Sequence, residues 1–298
     1  MLFVCCALCL SALPLCAQEQ PQAAPAIPPV RDPHLQGEYT GATNPRGLAE
    51  GMGKAVGRDT YEGEFKDGLP DGEGSYTWAD GDTYTGQFRN GDLHGSGTYT
   101  MSNGDTYTGQ WYEGRVHGKG TFQWANGDTY TGEYRNDRRN GYGIFTWTNG
   151  DVYEGEWNNG KRHGDGKFTM ATGDVYDGEW EDDTVNGKGI FTWSNGDRYD
   201  GKWRDGMRDG YGVFTTAAGD KYQGDWAGGK RSGKGTYVSA NGDRYVGQWK
   251  DDKANGKGKF YWANGDKYVG EYTDGQPSRG WYYWPDGKKE RFPVEAAE

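Results

Sequence analysis

Ten tyrosines, Tyr61, Tyr84, Tyr107, Tyr130, Tyr153, Tyr176, Tyr199, Tyr222, Tyr245 and Tyr268, follow one another every 23 residues without an insertion. A fixed period of this length marks a repeat array, in which each unit covers the apolar face of its neighbour and cannot stand alone. The stretch "ANGDTYTGEY" (residues 125–134) returns as "SNGDTYTGQW" from Ser102, "TNGDVYEGEW" from Thr148, "SNGDRYDGKW" from Ser194, "ANGDRYVGQW" from Ala240 and "ANGDKYVGEY" from Ala263. Each unit reads G-D-x-Y-x-G-x-W, a short polar stretch, then G-x-G-x-F-x-W.

Within a unit the large residues and glycines alternate: Tyr130, Gly132 and Tyr134 in one half, Gly141, Gly143, Phe145 and Trp147 in the other. Period two means strands. Asn-Gly, as at Asn126-Gly127, is a strong hairpin signal because both residues tolerate positive φ. A two-residue turn would set Tyr130 opposite Gln123 and send Trp124 to the other face. A three-residue turn holding Gly127 and Asp128 sets Tyr130 opposite Trp124 and Gly132 opposite Phe122. The second register is preferred, since it gathers the aromatics on one face and lays large rings across glycines.

The expected fold is all-β: an elongated, twisted, single-layer antiparallel meander of β-hairpin repeats, with no helices in the mature domain. About 20 strands at about 4.8 Å each would make a tape roughly 95 Å long.

Composition fits only because of this pattern. Hydrophobic residues make up 33% of the 298 and glycine reaches 53, which in an unpatterned chain would indicate disorder. The 13 Trp, 22 Tyr and 10 Phe place the apolar surface in a few large, regularly spaced side chains.

Before the array, the apolar run from Leu2 to Leu15 ends in small and polar residues and reads as a secretory signal peptide over residues 1–17. The run is too short to span a bilayer. Cys5, Cys6, Cys9 and Cys16 all lie in this leader, so a cleaved chain carries no thiol for disulfides, metal or catalysis. Lipid attachment at Cys16 is disfavoured by the bulk of Leu15. The proline-rich text of residues 18–36 reads as an extended spacer. Residues 37–60 keep Tyr39, Gly41, Gly51 and Gly53 and read as a worn first repeat or cap. The array then runs over 61–287, its last unit shortened, before a tail at 288–298.

The unit "YTGQWYEGRVHGKG" from Tyr107, like "YEGEWNNGKRHGDG" from Tyr153, closely resembles the MORN repeat. The resemblance implies a curved antiparallel sheet and non-catalytic work: membrane association, self-association or scaffolding. Some members join such repeats to a kinase or methyltransferase domain. Only eleven residues follow Gly287 here, so no attached enzyme is expected.

Two surfaces are candidates for function. One is the aromatic face, represented by Tyr107, Trp111, Trp124, Tyr130, Trp147, Tyr153, Trp157, Tyr176, Trp180 and Trp193. Its plainer role is packing along the sheet, with any rings left exposed forming a binding strip. The other is a basic edge of longer turns, carrying Arg115, Arg138, Arg139, Lys161, Arg162, Arg208, Lys230, Arg231 and Lys253. It could meet lipid phosphates, although the neighbouring acids and the formal charge of -11 favour solvated turns that keep sheet edges apart.

His94, His117 and His163 share one slot in three repeats, two strands or roughly 9–10 Å apart, too far to share a zinc ion. The aspartates from Asp82 to Asp266 form a similar column. They are read as closing their own turns, since the spacing is too wide for calcium or paired-carboxylate chemistry.

The reading is therefore an exported, non-enzymatic scaffold without cofactor or metal, binding other proteins or itself, at the cell envelope or secreted. Phospholipid at the basic turns and envelope glycan on the aromatic face are the alternatives. Nucleic acid is not expected, because neither net charge nor a basic groove supports it.

Overall fold

The computed structural model describes residues 28–293. The leader over 1–17, its cysteines, the first part of the proline-rich segment and the end of the tail lie outside the described residues. What is described forms a single 23-stranded antiparallel sheet in which every strand pairs with its neighbours in sequence. The first hairpin, β1 (Glu38–Thr43) and β2 (Ala49–Val56), is followed by ten more, from β3 (Thr60–Lys66) and β4 (Leu69–Thr77) to β21 (Lys267–Thr273) and β22 (Gln276–Tyr283). The short β23 (Lys289–Phe292) closes the order, and the sheet does not close on itself. No helix occurs among the described residues.

The tyrosines alternate inward as the period-two pattern requires, but the register differs from the expectation by two residues. Tyr130 stands opposite Phe122 and Gly132 opposite Gly120, where Trp124 and Phe122 were expected. The turn is the reason. The Trp124 N–H donates to the Asp128 carbonyl and the Gly127 N–H to the Trp124 carbonyl, so the three-residue loop is Ala125, Asn126 and Gly127. Only Gly127 takes positive φ (+93°), the pattern of a type I turn followed by a left-handed glycine. A shift of two keeps the repeat tyrosines and tryptophans on one face, whereas Tyr112, Tyr142, Tyr211 and Trp281 stand exposed on the other.

The two edges are also exchanged. The edge expected to carry the longer turns has two-residue turns: Arg135 pairs with Arg138, and Asn136 and Asp137 both take positive φ (48° and 66°). Asn and Asp tolerate that region best among residues with a side chain. The basic residues therefore begin strands, standing directly after tight turns.

Each unit's G-x-G has two distinct jobs. Gly141, at φ +91°, sits in a bulge where the β9 (Thr129–Arg135) to β10 (Arg138–Thr146) register shifts. Gly143 faces Gly132, and the Tyr130 ring lies across both: a Cβ at Gly143 would come within 2.5 Å of ring carbon Cε2. The buried hydroxyl is satisfied by donating to the Glu133 carbonyl (3.1 Å).

The N-terminal end is sealed by residues read as spacer. Val30 and Leu35 are buried, the Arg31 N–H donates to the Gly68 carbonyl (2.8 Å), the Ala49 N–H donates to the Pro29 carbonyl (2.8 Å), and the Asp59 N–H donates to the His34 carbonyl (3.0 Å). At the other end, part of the expected tail is β23, and its Phe292 packs on Tyr268 and Tyr282.

Candidate functional site

The aromatic face separates into a sealed layer and a half-open rim. In the sealed layer Tyr107, Trp111, Tyr130, Tyr153, Trp157, Tyr176 and Trp180 are buried. Each tyrosine meets the large ring of its own strand and that of the next repeat edge-on: Tyr153 lies 5.1 Å from Trp157 and 5.4 Å from Trp180, at 87° and 86°. These T-shaped contacts suit the ring quadrupoles. The Trp157 and Trp180 indole N–H groups donate to the Gly143 and Gly166 carbonyls (3.2 and 3.0 Å). Burial raises the phenol pKa values throughout the layer, to about 12 at Tyr199 and Tyr245.

Trp124, Trp147 and Trp193 belong to the rim, with Trp78 and Trp262 in the same slot of other repeats, and are half-buried. Each covers the aromatic ring of the following repeat: Trp124 on Phe145 (5.1 Å), Trp147 on Phe168 (5.7 Å) and Trp193 on Phe214 (5.6 Å). The row of rim tryptophans is replaced by Met101 and Met170 in two repeats and by Thr216 and Ser239 in two others, and beside Thr216 a recess of about 340 Å³ opens over Tyr237, Trp226 and Arg208. Of the ten aromatic candidates, only the three rim tryptophans offer ring surface to a ligand.

The basic column divides likewise. Arg139, Arg162, Arg208 and Arg231 turn inward and lay their guanidiniums 4.2, 4.3, 4.2 and 4.5 Å over Trp157, Trp180, Trp226 and Trp249. Each also donates to a backbone carbonyl of the next turn, as Arg139 does to Gly160 and Arg208 to Gly229 (both 2.8 Å). Burial lowers the pKa of Arg139 and Arg208, although both remain charged. The lysines on the edge reach the following turn instead: Lys161 to Asp182 (3.2 Å), Lys230 to Asp251 (3.8 Å) and Lys253 to Asp274 (3.6 Å). Arg115 and Arg138 are exposed at strand starts.

The aspartate column binds neighbouring repeats together. Asp128 Oδ1 accepts the Thr148 N–H of the next turn (2.8 Å), as Asp105 accepts that of Ala125 (2.7 Å) and Asp151 that of Ala171 (2.8 Å). The aspartate also closes its own turn together with asparagine: Asn126 Oδ1 accepts the Asp128 N–H (3.0 Å), and the Asn126 amide donates to Asp128 Oδ2 (2.9 Å). The series stops at the C-terminal end, where Pro285 brings no N–H to the next turn. His94 and His117 flank the Tyr112 ring at 5.4 and 6.0 Å, while His163 lies 4.0 Å from Asp182. Among the described residues no group of His, Asp or Glu gathers closely enough to hold a metal ion.

The family model for the MORN repeat matches ten consecutive segments, from residues 61–83 to 268–289. A comparison with curated proteins found no match. Among solved structures, the chain is similar to the Drosophila melanogaster SAS-4 TCP domain in complex with a proline-rich motif of Ana2, at 12% identity. That alignment has a TM-score of 0.34 and covers 51% of this chain and 83% of that one. The Danio rerio CPAP TCP10 domain in complex with a STIL peptide aligns at 12% identity and a TM-score of 0.38, over 74% of this chain and 94% of that one. The virginiamycin B lyase of Staphylococcus aureus aligns at 11% identity and a TM-score of 0.15, over 74% and 83%. At such TM-scores these likenesses carry no argument about what this chain binds.

Proposed function

The chain belongs to the MORN repeat family, and from that premise we propose that it is a non-enzymatic binding scaffold, exported to the cell envelope, whose aromatic rim receives a segment of a partner protein. The observation that carries this reading is the split of the aromatic face. Tyrosines and inner tryptophans pack a complete layer by themselves, while Trp124, Trp147 and Trp193 keep part of each ring in solvent along a row of repeats. Large half-exposed rings on a rigid base are the side chains that dominate protein interfaces. Export rests on the apolar leader.

The lipid reading loses ground to the same geometry. Four arginines of the basic column stack on the sealed layer, and Lys161, Lys230 and Lys253 already face carboxylates.

The test is photo-crosslinking in the source cells. A crosslinkable residue is placed at position 147 or 193 and, as a control, at position 85 on the opposite face. Partner adducts at the rim positions alone support the reading. Equal adducts at position 85, or none at the rim, overturn it. Sequencing the amino terminus of the protein recovered from the envelope fraction checks export: cleavage near Ala17 is expected, and an intact leader in the cytoplasm would defeat that part.

A further inference from the structure

Each second-strand ring of the array lies between two rim positions, that of its own repeat and that of the repeat before. Phe145 lies between Trp124 (5.1 Å) and Trp147 (4.3 Å), and Phe191 between Met170 and Trp193 (4.6 Å). Phe214 keeps Trp193 on one side (5.6 Å), and Phe260 keeps Trp262 (4.6 Å). Tyr237 alone falls between Thr216 and Ser239, so neither tryptophan nor methionine covers it from either side. The recess of about 340 Å³ opens at this place.

The turn below the recess is built like the others. The Thr216 N–H donates to the Asp220 carbonyl and the Gly219 N–H to the Thr216 carbonyl (both 2.9 Å), as Trp124 and Gly127 do in a tryptophan repeat. The backbone therefore holds the slot of a rim ring while the side chain leaves it open. Beneath it, Tyr222 and Trp226 are buried and fixed.

Two aspartates and two arginines line the recess. Asp252 accepts from Arg231 Nε (3.3 Å), and Asp220 accepts the Ala240 N–H (2.8 Å) and faces the Tyr237 hydroxyl. Arg208 differs from its neighbours. Arg162 and Arg231 find Asp183 and Asp252 in the following turn, where Arg208 finds Gly229. Its guanidinium lies 4.2 Å over Trp226 and donates to the Gly229 carbonyl (2.8 Å), but it forms an ion pair with no carboxylate among the described residues. A guanidinium has N–H donors to spare beyond one such bond, in a geometry that suits a carboxylate.

We propose that this recess is the anchor pocket of the rim, taking one aromatic side chain of the partner segment with a carboxylate beside it. The ring lies over Tyr237 where other repeats place their own tryptophan, and the carboxylate meets Arg208. The volume is near the lower end of the range for ligand pockets, roughly 300–1,000 Å³, and suits one large side chain. A ring seated on fixed rings is the kind of contact that concentrates binding energy at a single position. The proposal rests on the reading that a partner segment docks on the rim, and adds where that segment is anchored and by what chemistry.

The test offers the full chain two probes: N-acetyl-tryptophan, with ring and carboxylate, and N-acetyl-tryptophanamide, with the ring alone. NMR saturation transfer to the probe reads binding. Saturable binding is expected, about threefold tighter for the acid than for the amide. Thr216→Met and Thr216→Trp put into the slot the residues that other repeats carry there. Each should weaken binding of the acid roughly tenfold with a urea midpoint no lower than wild type, which separates a filled pocket from a folding defect. No saturable binding by wild type, equal affinity for acid and amide, or undiminished affinity in both filled variants overturns the proposal.

The Thr216→Met change, made in cells carrying the crosslinkable residue at position 193, separates this proposal from the reading it rests on. Loss of the partner adduct supports both. A persisting adduct keeps the rim as the binding surface and overturns the recess as its anchor. Saturable, Thr216-dependent probe binding without any adduct in wild type would defeat the rim reading and leave the recess as a site for an aromatic carboxylate.

Discussion

The Arg139 guanidinium lies 4.2 Å above the Trp157 indole and donates to the Gly160 carbonyl at 2.8 Å. One side chain thus joins the basic column to the aromatic layer and ties a repeat to the turn after it. Arg139→Ala removes a desolvated cation–π contact and a charged hydrogen bond, and should lower stability by about 2–3 kcal/mol. Arg139→Lys should recover less than half, because an ammonium cannot lie flat on the indole while reaching the carbonyl. Urea unfolding followed by tryptophan fluorescence reads both. Equal stability of wild type and Arg139→Ala would show that the stacked geometry contributes nothing.

Asp59 gives the array a pH dependence at its N-terminal end. Its side chain is buried and accepts the Tyr76 hydroxyl (3.0 Å) and the Ala79 N–H (3.1 Å), with Arg58 alongside at 3.2 Å. Burial pushes its pKa up, but the hydrogen bonds from Arg58, Tyr76 and Ala79 outweigh that and leave it below the ordinary Asp value. A depressed folded-state pKa stabilises fully above the unfolded value of about 3.9 and is lost as pH falls through the folded value. The urea midpoint of this end should hold between pH 5 and 7 and decline below about pH 4. Asp59→Asn should flatten that decline and cost about 1–3 kcal/mol at neutral pH. An unchanged acid slope in Asp59→Asn would place the titration elsewhere.

The strand pattern, the number of repeats and the packed face of the recurring tyrosines and tryptophans were legible because period two and the 23-residue repeat leave one arrangement of these side chains. The register was misplaced by two residues because Asn-Gly permits more than one turn, and the choice is made by backbone hydrogen bonds from Trp124 and Gly127 that side-chain identity does not determine. The inward arginines did leave a signal. In successive repeats their slot holds Pro70, Leu93, Val116, Arg139, Arg162, Val185, Arg208, Arg231 and Ala254. Apolar residues that alternate with arginine in one slot mark a half-buried position where a long stem packs and its head finds a partner. The aspartate staples were marked too, by the small residue at the start of the following turn: Ser102, Ala125, Thr148, Ala171 and Ser194.

Gly143 tests the close approach at the centre of a repeat. Its added Cβ would meet the Tyr130 ring at 2.5 Å, with ring and backbone both fixed by neighbours. Gly143→Ala should therefore cost about 1–3 kcal/mol through overpacking, whereas Thr131→Ala on the exposed face should stay within about 0.5 kcal/mol. Because unfolding of a repeat array can spread from a local defect, hydrogen exchange should quicken first in the repeats around residues 130–157. A loss spread evenly over all ten repeats would instead indicate one cooperative unit.

Rim and core tryptophans should separate binding from stability. Trp193 is half-buried and covers Phe214 at 5.6 Å, while Trp180 is buried and meets Tyr153 and Tyr176 edge-on at 5.4 and 5.3 Å. Trp180→Ala removes a closed-in ring and should cost about 3–5 kcal/mol. Trp147→Ala with Trp193→Ala exposes Phe168 and Phe214 without opening the sealed layer, so each change should cost about 1 kcal/mol, the scale of one aromatic pair. If the rim is where a partner docks, the double variant should lose at least tenfold in partner recovery while its unfolding midpoint falls less than that of Trp180→Ala. The check is quantitative pull-down beside urea unfolding of the same preparations. Undiminished recovery by the double variant would remove the rim from the binding surface, and recovery that falls only as stability falls would show that the rim serves packing alone.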